Sequence, residues 1–266
     1  MIYKFRNDGL TSRLRHIWQI PFVYSLYKKH INVVWRQTDE CNIALGKIIK
    51  PKKFYSIQDS DEGLPVYFFG AKVNEEIFDI TKIEKMLKRE DDPQYPHWRL
   101  TKYYSEIFDP TDEVVNEFNK IKLKYNISSD VIGVHLRGFE PTESGGGSRG
   151  RTKQIIQKDI SDRFKEINKI LSNKKDQRFL IASDDIEIEN TFISKFPDNF
   201  FNVKEDKKPS NTKGIALSNR NEESIAKSFV LLLILSETNY KFATNGSFFT
   251  RFPPIIQKIR EFKEFL

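Results

Sequence analysis

Four places in the sequence set polar residues where they could meet an anionic ligand. The first is Gly9-Leu10-Thr11-Ser12-Arg13-Leu14-Arg15. A glycine turn that opens a helix offers unpaired N–H groups to an anion, and Arg13 and Arg15 would add charge. An ordinary turn with solvated arginines has the same pattern. The second is His135-Leu136-Arg137, at the end of the apolar run Val131 to Leu136. Residues two apart on a strand share a face, so His135 and Arg137 are placed to meet one ligand. A guanidinium fork pairs with phosphate oxygens two at a time; the alternative is a salt bridge beside a buried histidine. The third is Ser183-Asp184-Asp185, after Arg178 to Ala182. Its acids could accept from a base or a ribose, and they are also the residue types that cap helices. The fourth is Thr244-Asn245-Gly246-Ser247, which opens a helix containing Thr250 and Arg251. Small hydroxyl residues and helix-start amides suit a phosphate, and a capped turn fits equally.

These positions need elements to hold them. Ile2 to Phe5 reads as a short strand, Asn7-Asp8-Gly9 as a turn, and Leu10 to Lys29 as a helix that Pro21 kinks or restarts. Ile31 to Trp35 is β-branched and apolar. Strand, helix and strand in this order make a βαβ opening and so a parallel sheet. Between them and the second half, Val66 to Phe69 reads as a strand, Ile80 to Arg89 as a helix, and Pro93, Pro96 and Pro110 as loop markers. Asp112 to Tyr125 resumes a helical pattern.

The second half alternates regularly. Strands are expected at Val131 to Leu136, Arg178 to Ala182, Phe200 to Val203 and Tyr240 to Ala243. Helices are expected at Asp159 to Leu171, Ile186 to Phe196, Glu222 to Ser236 and from Phe248 onward. This is an α/β chain with an open sheet in each half and a boundary near residue 126. Ligands of such sheets bind beyond the carboxyl ends of the strands.

Several chemistries find no residues to carry them. Phosphate-loop, HExxH and GxSxG motifs are missing. Gly145, Gly147 and Gly150 spell GxGxxG, but they lie well past the strand end at Leu136 rather than in a tight strand–helix turn, so they read as a loop over the site. Glu140 and Glu143, at the edge of that loop, are the candidates for a catalytic base, with solvated acids as the plain alternative. The four histidines His16, His30, His97 and His135 show no metal-ligand spacing, and no metal is expected.

The single Cys41 excludes an internal disulfide and favours a reducing, cytoplasmic setting. No apolar run reaches the ~20 residues that span a bilayer, so any membrane contact would be peripheral. The 266 residues carry 44 Lys+Arg against 37 Asp+Glu, a net charge of +7 without long blocks of one sign; with 22 Phe and 10 Tyr the chain can build a core. A nucleic-acid partner is not expected, since no basic-aromatic RNA motif or recognition-helix signature is present.

Taken in order, these elements resemble the GDP-fucose-dependent fucosyltransferases of the nodulation-protein and α1,6-fucosyltransferase type, with the protein O-fucosyltransferases as distant relatives. Three blocks carry the resemblance. Gly9-Leu10…Arg13-Leu14-Arg15, followed by Val33-Val34-Trp35 and Glu40-Cys41-Asn42, is similar to the family's GxGNRL opening, strand and downstream cysteine. Gly133-Val134-His135-Leu136-Arg137 is similar to its G-V-H-x-R strand. Phe179 to Asp185, then Leu235-Ser236 through Gly246-Ser247 to Arg251, resembles its A-[ST]-D-D strand end and its closing serine turn.

The resemblance implies a GT-B-like architecture, two Rossmann-like domains facing a central cleft. Residues 1–125 would form the acceptor side and 126–266 the nucleotide-sugar domain, with the last helix packing back on the first. It implies an inverting, metal-independent transfer of fucose from GDP-fucose, as donor substrate rather than cofactor, to a hydroxyl of a glycan or glycolipid. Arg137 would hold the donor's β-phosphate, His135 the nucleotide, and Gly246 and Ser247 the diphosphate. Asp184 or Asp185 would lie near the nucleotide, and Arg13 would reach the cleft from the first domain.

The chain also departs from the family. Thr11-Ser12 stands for its Gly-Asn, and Arg137-Gly138-Phe139-Glu140 for its R-R-x-D. Leu231 falls where eukaryotic members carry a guanine-reading carboxylate. Another nucleotide sugar, or a non-catalytic nucleotide- or glycan-binding role, is the alternative.

Overall fold

A computed structural model describes residues 2–4, 9–38, 41–58, 71–73, 76–77, 98–138, 153–203, 221–244 and 248–264. The expected strand Val66 to Phe69, the expected helix Ile80 to Arg89, and Pro93 and Pro96 lie outside them. The chain divides into two compact units. Unit 1 comprises residues 1–117, 220–230 and 254–266, and unit 2 comprises residues 118–219 and 231–253. Among the described residues no helix is long and apolar enough to cross a membrane.

Unit 1 opens with strand β1 (Ile2–Lys4), helices α1 (Leu10–Leu14) and α2 (Gln19–Tyr27), and strand β2 (Ile31–Val34). β1 and β2 pair in parallel, as the βαβ reading requires. The single expected helix is two. The chain restarts at Gln19, which puts Pro21 in the first turn of α2, where a missing N–H breaks no intrahelical bond. Strands β3 (Tyr55–Gln58), β4 (Ala71–Val73) and β5 (Glu76–Ile77) complete a five-stranded sheet in the order β3-β2-β1-β4-β5. β3 is parallel to β2, whereas β4 and β5 add an antiparallel edge. Helix α3 (Trp98–Ile107) packs on α2, with Phe22 edge-on to Tyr103 at 5.2 Å between ring centroids. The Tyr104 hydroxyl donates to the Arg15 carbonyl at 2.5 Å, and burial pushes that phenol upward.

Helix α4 (Asp112–Lys124) leads into unit 2 and begins with Asp112 and Glu113, which suit its positive N-terminal dipole end. Unit 2 then follows the expected alternation: β6 (Ile132–Leu136), α5 (Lys153–Asn173), β7 (Phe179–Ser183), α6 (Ile186–Lys195), β8 (Phe200–Phe201), α7 (Glu222–Glu237), β9 (Asn239–Ala243) and α8 (Phe248–Glu264). α7 and α8 each run from one unit's residues into the other's. The four strands are all parallel, in the order β8-β7-β6-β9. β8 is two residues, shorter than expected. α5 starts earlier than expected because its apolar stripe begins at Ile156 and continues through Ile160, Phe164, Ile167 and Ile170, all packed into the core of unit 2. That core centres on Val134, Ile181 and a phenylalanine cluster, with Phe179 stacked on Phe200 at 4.7 Å and Phe192 and Phe196 beside them. Phe229 to Leu235, the longest apolar run, is buried along its whole length.

Two features of unit 2 fix the strand ends that matter below. A β-carbon at Gly133 would lie 2.2 Å from Thr238 Oγ1 and 3.0 Å from a Tyr240 ring carbon, so β6 can approach the start of β9 only with glycine there. Asp185 is the N-cap of α6, its backbone extended and its side chain accepting from the Glu187 N–H at 2.9 Å. Gly133→Ala should lower stability by about 1–3 kcal/mol, the cost of overpacking; a denaturant midpoint equal to wild type would mean that Thr238 swings aside. Asp185→Ala should cost about 1 kcal/mol through the lost cap, read in the same titration.

Candidate functional site

The strands of unit 2 are parallel, so the carboxyl ends of β7, β6 and β9 reach one edge of the sheet together. There the ladder runs out of partners, and side chains supply the next bonds. The Arg137 N–H donates to Thr244 Oγ1 at 3.0 Å, and the Thr244 N–H donates back to the His135 carbonyl at 3.1 Å. Thr250 Oγ1, in the first turn of α8, donates to the Thr244 carbonyl at 3.1 Å. Thr244 thus ties β9, β6 and α8 together and is only 2% exposed.

On the other flank the Gly138 N–H donates to Asp184 Oδ1 at 2.7 Å. The second Asp184 oxygen lies 3.8 Å from Arg137 Nε. This close approach requires glycine, because a β-carbon at Gly138 would stand 2.4 Å from the Asp185 β-carbon and 2.7 Å from Ile188 Cδ1.

Of the residues selected from sequence, Arg137, Asp184 and Asp185 therefore share the junction of β6 and β7. Asp184 and Asp185 divide their tasks: Asp184 faces Gly138 and Arg137, and Asp185 caps α6. The Arg137 side chain is 40% exposed and Asp184 is 38% exposed, so the guanidinium reaches solvent at the strand end. His135 is 5% exposed, with its ring stacked on Phe249 of α8 at 4.8 Å and 24°. Although His135 and Arg137 are two residues apart, the histidine ring lies against α8 while the arginine turns toward the end of β7.

Arg13 belongs to unit 1 and is 1% exposed. Its guanidinium donates to the Arg36 carbonyl and, at 2.9 Å, to Thr38 Oγ1, and sits over the Trp35 ring at 5.3 Å. It holds the chain that leaves β2, which neither the anion reading nor the solvated one anticipated. Glu140, Glu143, Gly246 and Ser247 lie outside the described residues. Among the described residues no group of three or more His, Cys, Asp or Glu is arranged to hold a metal ion.

Glu189 belongs to no motif in the sequence and is fully buried. Its two carboxyl oxygens accept from the Ser183 N–H at 2.7 Å and from Asn202 Nδ2 at 3.0 Å. A signal was present: Glu189 shares a helix face with Phe192, three positions on, and an acid on a phenylalanine face needs bonding partners to be buried there. Thr244 and Phe249 were likewise recognisable only as parts of a turn and a helix.

No family model matches the chain, and no curated protein matches it in sequence. Solved structures do. The selenomethionine crystal structure of fucosyltransferase NodZ from Bradyrhizobium aligns with a TM-score of 0.61 at 14% identity, over 95% of this chain and 90% of that one. NodZ α-1,6-fucosyltransferase soaked with GDP-fucose aligns at 0.60 and 13% identity, over 96% and 91%. The same enzyme co-crystallised with GDP aligns at 0.59 and 14% identity, over 95% and 90%. At such identities the likeness is one of fold: the chain has the α/β, GT-B-like fold of these fucosyltransferases, with a mixed sheet in unit 1 and a parallel one in unit 2.

Proposed function

We propose that the chain is an inverting glycosyltransferase that moves fucose from GDP-fucose to a hydroxyl of a glycan or glycolipid. The observation that carries this is the Arg137 guanidinium, standing at the carboxyl end of the central strand β6 with an Asp184 oxygen 3.8 Å from its Nε, in a fold shared with structures solved with GDP and GDP-fucose. In this reading residues 126–266 hold the donor and residues 1–125 form the acceptor side. The single cysteine, buried Cys41, fits a cytoplasmic setting.

The chemistry follows from charge. When the bond between the anomeric carbon and the diphosphate oxygen breaks, the electron pair leaves with the nucleoside diphosphate. Arg137 faces the β-phosphate and stabilises the growing negative charge, a task for a donor already in position. α8 begins at Phe248, so Gly246 and Ser247 immediately precede it in the sequence, and on this reading they bind the diphosphate. The acceptor oxygen attacks the opposite face of the anomeric carbon, which inverts it, and its proton passes to a carboxylate base, Glu140 or Glu143. The protein's own cations and amides suffice for the leaving group, and the reading calls on no metal. His135, stacked on Phe249, supports the nucleotide side of the cradle.

The test is nucleoside diphosphate release from GDP-fucose, with UDP and CMP sugars in parallel and a glycan mixture as acceptor. Release from GDP-fucose alone supports the reading; release from another donor corrects the nucleotide, and release from none overturns it. Arg137→Ala should cut turnover about 10²–10³-fold, the cost of removing one charge-stabilising donor, with an unchanged circular dichroism spectrum. Near-wild-type turnover by the folded variant would remove Arg137 from the mechanism. If Glu140→Gln and Glu143→Gln both keep full turnover, the base lies elsewhere.

A further inference from the structure

The turn that presents Asp184 is braced from inside the protein. Ser183, the last residue of β7, is 2% exposed, and its N–H points at Glu189 Oε1 at 2.7 Å. Its side-chain oxygen accepts from the Asp185 N–H at 3.0 Å. Asp184 lies between these two bonds, and its carboxyl group reaches the Gly138 N–H and the Arg137 side chain. Beyond Glu189, Asn202 Nδ2 donates to the second carboxyl oxygen at 3.0 Å and anchors the group to the chain that leaves β8. A run of contacts therefore joins Asn202, Glu189, Ser183, Asp184 and Arg137, with Glu189 as its fully buried member.

We propose that Glu189 is a positioning residue for the anion site: it holds the end of β7 through the Ser183 N–H, so that Asp184 stays set against Gly138 and Arg137. Ser183 and Asn202 are both donors to Glu189, and each takes one of its oxygens. A glutamine in its place has one acceptor oxygen and turns an NH₂ toward the other donor, so Glu189→Gln preserves size and breaks one of the two bonds. A buried acid that served packing alone would affect stability and nothing else. A positioning residue also affects what Arg137 does, and only while Arg137 is present. The inference rests on the donor reading above, and its test separates the two.

GDP is titrated by calorimetry into wild type, Glu189→Gln, Arg137→Ala and the double variant. Hydrogen exchange of the Gly138 amide is followed in the unliganded proteins. The expected result is GDP binding to wild type, about tenfold weaker binding to Glu189→Gln, the equivalent of one lost buried bond, and a double variant no weaker than Arg137→Ala alone. Gly138 should exchange faster in Glu189→Gln, because its partner Asp184 has moved. Glu189→Gln binding GDP as tightly as wild type, or losses that simply add in the double variant, would overturn the positioning role. So would an unchanged Gly138 exchange rate. Wild type that ignores GDP while Glu189→Gln speeds Gly138 exchange overturns the donor reading and leaves the brace standing. If Glu189→Gln does not fold, Asn202→Ala removes the donor to the second Glu189 oxygen and is read by the same two measurements.

Discussion

The functional end of unit 2 depends on one constraint, the way a parallel sheet finishes its central strand. β6 is buried at all five residues, and its neighbours β7 and β9 end at the same edge. The next two amides, of Arg137 and Gly138, have left the ladder and still need acceptors. Thr244 supplies one from β9 and Asp184 the other from β7. These bonds complete the sheet, and they also fix the backbone from which the Arg137 side chain projects. The glycines at both ends of this strand serve the same purpose: Gly133 lets β9 close in at the start and Gly138 lets the α6 turn close in at the finish.

β6 and β7 were legible because each is an apolar run buried at every residue, the mark of a sheet covered on both faces, whereas β3, Tyr-Ser-Ile-Gln, mixes polar residues into its run and was not expected. The helices of unit 2 were legible from three- and four-residue spacing, and the extent of α5 was misjudged only because its stripe begins at Ile156, upstream of the clearest part of the pattern. The break between α1 and α2 was signalled by Pro21, but the proline sits inside the second helix rather than at the joint, since a first turn tolerates it. The antiparallel edge of unit 1 left no comparable trace, because β4 and β5 are three and two residues long.

Site residues were legible as types and less so as roles. Asp184 and Asp185 are chemically identical and adjacent; the direction of the turn makes one a cap and the other a partner of Gly138. Arg13 reads as a cation for an anionic ligand, or else a solvated one, yet its guanidinium lies over Trp35 and donates to Arg36 and Thr38, contacts that depend on where the chain goes after β2. Glu189 reads as one of the two acids in Glu187-Ile188-Glu189, and only its face, shared with Phe192, distinguishes it. In each case the role follows from tertiary partners that are distant in sequence or set by a turn angle.

The strength of the Arg137–Asp184 pair matters as much as its position. At 3.8 Å between Nε and Oδ2, with both side chains more than a third exposed, the pair is of the kind that contributes little net stability, because water already solvates both charges. A short, buried pair would hold the guanidinium so firmly that a ligand would have to leave an acid buried and unpaired in order to take it. The looser arrangement avoids that cost. Asp184 keeps its stronger bond to the Gly138 amide whatever Arg137 does, so the guanidinium can turn to a diphosphate without leaving the carboxylate unsatisfied. On the proposed reading Asp184 therefore orients the cation without consuming it. This is what stabilising a leaving group requires: a charge in place before the bond breaks, and worth more to the departing diphosphate than to its resting partner.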